Sequence, residues 1–339
     1  MLTEFAFTPS IFEEGAHEDK EVWMEQLREL GRNMFPHVST WPVIVADLYD
    51  GSWSHSALQC IESIKDHKAK ALCLGIVQNI KKALVTRPAC GDWPGDDAAW
   101  QREAIATSEV EPIERIVTCS QATPALPQLR NVRTLDEVGE SGFWKGIRAD
   151  ASPKMIIADQ VDLLRKICIH SEWMALISKD IYGGGNDETD FAISLMSRAL
   201  NRPKEFGTPD FELHTEGPRE LQGEKDYEIR KLGRIRSITG RVASKLMDRQ
   251  AIELFVWPRL LDRFLIAGTY TRTEDGIRRK KARWGVLLTH IARVPDEKKH
   301  DFHTEWNLLS QESLLRWHKK YVEETAPNKP TAVSISLNT

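Results

Sequence analysis

The chain has few cysteines and no long apolar run. Its five cysteines, Cys60, Cys73, Cys90, Cys119 and Cys168, are odd in number and scattered, with no pair at CxxC spacing. Neither a zinc ribbon nor a redox dithiol is indicated, which leaves reduced, buried thiols. No apolar stretch reaches the roughly 18–20 residues that a membrane helix needs. The opening residues Met1-Leu2-Thr3-Glu4 carry no basic n-region and no apolar h-region. A secretory signal is therefore not expected, and a cytoplasmic location is.

Several signatures of chemistry are missing too. GxSxG is absent, so a nucleophile elbow is unsupported, and HExxH is absent as well. Gly183 to Gly185 precede a predicted helix but match neither GxGxxG nor the phosphate loop GxxxxGK. They read as a turn capped by Asp187, with a phosphate at the helix N-terminus as the alternative. His300 and His303 form HxxH near Glu305, inside a stretch rich in lysine and aspartate. That stretch reads as a solvated loop, so neither a metal nor a cofactor is expected. No repeat of solenoid period occurs.

What is present is ordinary globular material. The 339 residues are 41% apolar and 28% charged, with a formal charge of -4. This is enough chain for about two domains with real cores, and not the composition of a disordered chain. In the first half, helical spacing covers 17–34 and 54–85, and Pro42 to Ala46 and Ile113 to Val117 suit buried strands. A domain boundary is placed near 150, after a connector at 120–131. The second half predicts a helix at 155–168 and strands at 173–178, 211–214, 252–256, 263–267 and 284–289. Further helices are predicted near 188–200, 225–248 and 310–324. The reading is α/β: a helix-rich α/β domain at 1–150, a mixed β-sheet with flanking helices at 151–325, and a flexible tail at 326–339.

Basic residues concentrate in the second half. Arg230, Lys231, Arg234, Arg236, Arg241, Lys245 and Arg249 fall on the predicted helix, several on one face. Arg272, Arg278, Arg279, Lys280, Lys281 and Arg283 surround a turn at Gly276 and are read as a loop tip between two strands. Two such patches suit a phosphate backbone, or else are a solvated helix face and an edge-protecting loop. Trp41, Trp53, Trp93 and Trp100 sit in or beside turns and read as core indoles rather than base-stacking ones.

The stretch from Glu253 to Ile266, with Trp284 to Leu288 and Trp306 to Leu309, resembles the phospholipase D-like domain of the MIT C-terminal type over about residues 155–324. In active members a histidine attacks phosphorus; Leu261 stands at that position here, and a leucine has no lone pair to attack with. Arg263 retains the charge that would hold a phosphate. The resemblance implies a non-catalytic subunit that binds nucleic acid backbone or partner proteins, as in a bacterial anti-phage complex whose ATPase or nuclease supplies the chemistry. Residues singled out for phosphate contact are Arg234, Arg241, Arg263, Arg278, Arg279, Lys280, Lys281 and Arg283. The alternatives are a protein-interaction scaffold, or a nuclease drawing acid and base from His170, His214, His290 and Glu172 at one sheet edge.

Overall fold

The computed structural model describes residues 1–35, 40–49, 51–88, 96–119, 131–139, 142–181, 187–218, 224–245, 251–260, 263–274, 276–291, 302–323 and 329–336. The chain forms two compact units, Met1–Ala149 and Asp150–Thr339. Both are α/β, one with a parallel sheet and one with a mixed sheet.

The first unit holds strands β1 (Thr3–Phe7), β2 (Val43–Asp47), β3 (Leu84–Thr86), β4 (Arg115–Thr118) and β5 (Val132–Thr134). Their order is β3-β2-β1-β4-β5, with every pair parallel. Its helices are α1 (Lys20–Met34), α2 (Trp53–Glu62), α3 (His67–Ala83) and α4 (Asp97–Val110). Alternation along β1 sends Phe5 and Phe7 to one face, where they pack with Trp23, Trp53 and Ile76 of α1, α2 and α3. Ala6 turns to the other face, against Trp100 and Ala104 of α4. Helices thus cover both faces, as a parallel sheet requires.

The sequence reading places β2 and β4 but not β3, β5 or β1, the last of which carries a charge within its apolar run. Glu4 lies in its middle, fully buried, and pairs with Arg87 through two nitrogens, each 2.8 Å from a carboxylate oxygen. Arg87 also donates to the carbonyls of Thr107 and Glu111, at the end of α4. A buried charge is tolerated here because it is paired on both sides.

The second unit holds β6 (Asp150–Ala151), β7 (Trp173–Ser178), β8 (Asp210–Glu216), β9 (Ala251–Trp257), β10 (Arg263–Arg272), β11 (Arg278–Leu288), β12 (Trp306–Leu308) and β13 (Val333–Ser336). Their order is β13-β9-β8-β7-β10-β11-β12-β6. Within it β7, β8 and β9 are parallel, and the remaining pairs are antiparallel. The helices are α5 (Ile157–Leu163), α6 (Arg165–His170), α7 (Asp187–Leu200), α8 (Glu224–Lys245) and α9 (Gln311–Trp317), the last running into a π-helical turn, His318–Val322. One sheet face, with Trp173, Ile177, Phe255, Trp257 and Phe264, buries against Leu314, Tyr321 and Val322 of that last segment.

The structure differs from the sequence reading in several places. The tail expected to be frayed contains β13, which closes the edge of β9; the alternation Val-Ser-Ile-Ser suits an edge strand, and an open edge takes a partner. The single helix expected at 155–168 is broken at Leu164. The basic stretch read as a loop tip is mostly strand, because β10 and β11 keep pairing out to Arg272 and Arg278. The segment from Glu253 to Ile266 spans β9 and β10, which β8 and β7 separate. Leu261, the triple glycine and His300 lie outside the described residues.

Candidate nucleic-acid interface

The pairs between β10 and β7 end at Gly268 and Trp173, whereas those between β10 and β11 continue to Arg272 and Arg278. The last residues of the hairpin therefore project from the sheet as a two-stranded ribbon. Its loop closes through Thr273 N donating to the Ile277 carbonyl at 2.9 Å, and Gly276 takes the left-handed φ of 76° that such a loop needs. A bulge sets the ribbon's direction. Ala267 pairs with Trp284 and Gly268 with Ala282, which leaves Arg283 as the extra residue and bends the strand. The bend is tight enough that a Cβ on Gly268 would lie 1.9 Å from the Lys281 carbonyl oxygen.

Alternation gives the ribbon two sides. Tyr270, Arg272, Arg278 and Lys280 fall on one, and Thr269, Thr271, Arg279 and Lys281 on the other. The first side is tied down. Tyr270 donates its hydroxyl to Asp210 at 2.5 Å, and Lys280 donates to Oε1 of Glu212. Glu172 accepts from the Tyr270 amide, its own amide donates to the Gly268 carbonyl at 2.8 Å, and Trp173 Nε1 donates to the Thr269 carbonyl at 3.0 Å. Arg278 lies 4.0 Å over the Tyr270 ring, a cation–π contact. Burial and the bond to Asp210 push the Tyr270 hydroxyl well above the ordinary phenol value.

Beneath the ribbon lies a buried ionic network. Glu212 Oε2 accepts from His214 Nε2 at 2.9 Å, and Trp257 Nε1 donates to His214 Nδ1 at 3.0 Å. The indole N–H leaves Nδ1 without a proton, so the ring's hydrogen is on Nε2 and the imidazole is neutral. Burial also holds His214 below the ordinary imidazole value. Burial pulls Glu212 upward, but its bond to His214 and the charges of Lys280 and Lys329 prevail and hold it below the ordinary carboxylate range. Lys329 sits 3.7 Å from Glu212, donates to the Val322 carbonyl at 2.7 Å, and rests 4.4 Å over the Phe255 ring.

The residues singled out from sequence scatter across this frame. Arg278, Arg279 and Lys281 are exposed on the ribbon; Arg272, in the same basic stretch but not among those singled out, joins them. Lys280 is engaged by Glu212. Arg263 is engaged by Asp180 and by Glu188, 2.9 Å away, so two carboxylates already occupy the cation meant for a phosphate. Glu188 also accepts from Ser178, and burial raises its pKa. Arg241 pairs with Asp190, Arg234 donates to the Glu216 carbonyl, and half-buried Arg283 leans on the Trp284 ring at 5.5 Å.

The acid–base candidates do not meet. Glu172 precedes β7 and His290 follows β11, which runs parallel to β7, so they sit at opposite ends of the strands, roughly 25 Å apart along the strand direction. His290 is exposed and gives its carbonyl to Trp306 Nε1. His170 is buried at the end of α6 against Phe206. Among the described residues, no group of histidine, cysteine, aspartate or glutamate is placed to hold a metal ion.

The first unit has a polar cluster of its own, at the carboxyl ends of β1 and β4, where the strand order reverses. Thr8, Ser10 and Cys119 all donate to Asp97, at the start of α4, with Thr8 at 2.6 Å. Burial, and then Asp97, push the Cys119 thiol up to about 12, which leaves no thiolate for attack at neutral pH. Compared with models of known protein families and with curated proteins, the chain matches none.

Proposed function

We propose that the second unit binds nucleic acid through its phosphate backbone, with the β10–β11 ribbon as the contact surface and no catalysis of its own. The observation that carries this reading is the cross-strand pair Arg272–Arg278, with Arg279 and Lys281 on the opposite side of the same ribbon. Like charges directly opposite each other cost stability. A ribbon that concentrates them on a chain of net charge -4 is matched by a polyanion. His214 and Glu172, nominated as acid and base, serve to hold the ribbon. Chemistry on the nucleic acid would then come from a partner protein, an ATPase or a nuclease. The test is retention of a labelled mixed-sequence DNA duplex by the full chain at low salt. Arg279→Glu with Lys281→Glu should weaken it by more than about tenfold, since a phosphate that no cation neutralises keeps its condensed counterions. Unchanged retention would remove the proposal.

A further inference from the structure

The ribbon's free side has a composition that narrows the ligand. Extending the pairing by the closing Thr273–Ile277 contact, this side carries Thr269, Thr271 and Thr273 on one strand, and Ile277, Arg279 and Lys281 on the other. Thr271, Ile277, Arg279 and Lys281 are exposed, Ile277 at 54%. The other side is bound to Asp210 and Glu212, so only this one is open along its length.

Two features separate the classes of nucleic acid. Single strands are held by aromatic platforms on which bases stack. This side has none, because Tyr270 is on the other side, bonded to Asp210 beneath Arg278. Duplexes differ in their grooves. Paired strands lie about 4.8 Å apart, and the B-form major groove, about 12 Å wide, admits such a ribbon. The A-form major groove is too deep and narrow for side chains to read.

Resting on the binding reading above, we infer that the free side of the ribbon seats in the major groove of B-form duplex DNA. Threonine hydroxyls then face base edges, and Ile277 meets thymine methyl groups, the one apolar feature of that groove. The exposed cations, Arg279 and Lys281 on this side and Arg272 and Arg278 across the ribbon, are left for phosphates. The tip is not a loose loop that could fit any groove, because the bulge at Gly268 and the bonds from Trp173, Glu172, Asp210 and Glu212 fix its base.

Fluorescence anisotropy with the full chain tests this on a labelled DNA duplex of about two helical turns, the same sequence as duplex RNA, and a single DNA strand. The DNA duplex should bind at least about tenfold more tightly than either of the others. Replacing thymine by uracil throughout the duplex deletes only the methyl groups and needs no protein variant. It should weaken wild-type binding by about fourfold, the worth of one buried methyl-sized contact, and leave Ile277→Ala unaffected. Equal or tighter binding of duplex RNA or of the single strand would overturn the groove assignment while leaving backbone binding in place. So would indifference of the wild type to the uracil duplex. Failure to bind any of the nucleic acids would overturn both.

Discussion

At the scale of single residues, the second unit relies on a neutral imidazole held in place by an indole and a carboxylate. Burial lowers the pKa of His214 from the ordinary 6.5, so folding disfavours its charged form. The unfolded chain takes up that proton first. The stability that neutral His214 contributes is therefore present above about pH 6.5 and is lost as pH falls toward the lower folded value. Glu212 acts further down: held below its ordinary 4.5, it loses its contribution as pH falls through that value toward the lower folded one. Urea midpoints should decline as pH falls below about 6.5. His214→Gln, whose amide can donate to Glu212 and accept from Trp257, should flatten part of that decline. His318, and His17 in the first unit, also lowered by burial, keep the rest. An identical slope in the variant would mean that His214 does not titrate in this range. The sequence marked His214 as an acid–base candidate near the end of a strand, but not the indole and carboxylate that hold it neutral. Its neighbours in the network come from elsewhere: Trp257 from β9, Lys280 from β11.

At the scale of elements, the β10–β11 hairpin is the instructive case. The sequence reading places both strands but ends β10 at 267 and begins β11 at 284, because arginines and lysines interrupt the apolar pattern. Charge, however, does not stop a strand that leaves the core; the alternation simply continues with both sides polar. The bulge is equally hidden, although Gly268 is its local marker, since glycine in a strand often signals close approach of another backbone. Gly268→Ala would set a Cβ against the Lys281 carbonyl. The expected cost is about 1–3 kcal/mol, as for other overpacked sites. Hydrogen exchange at the Tyr270 and Thr273 amides, which donate to Glu172 and to the Ile277 carbonyl, should accelerate more than at Leu265 or Ile266, because the ribbon opens before the sheet. Uniform acceleration along β10 would count against the bulge as the local hinge of the ribbon.

At the scale of the whole molecule, net charge conceals where cations are free. Ion pairing removes Arg241, Arg263 and Lys280 from the basic set, while the ribbon keeps Arg272, Arg278, Arg279 and Lys281 exposed. If those four carry binding, log affinity for duplex DNA should fall with log salt at a slope near about -3.6, roughly 0.9 for each. A slope near about -7 would instead restore the eight residues singled out from sequence, at roughly 0.9 each. Titrating anisotropy across salt distinguishes the two. Among the described residues no helix is long and apolar enough to cross a membrane.

The sequence by itself determined the α/β class, the strands with dense apolar runs, the place near 150 where one unit gives way to the next, and the stretch in which cations gather. These follow from local periodicity and composition, which each segment carries alone. Only the tertiary structure decided which cations are engaged and which are free. Whether Arg263 meets Asp180 and Glu188, or Lys280 meets Glu212, depends on strand order and on the bend at Gly268. Ion pairs form between groups brought close in space, and separation along the chain does not reveal that distance.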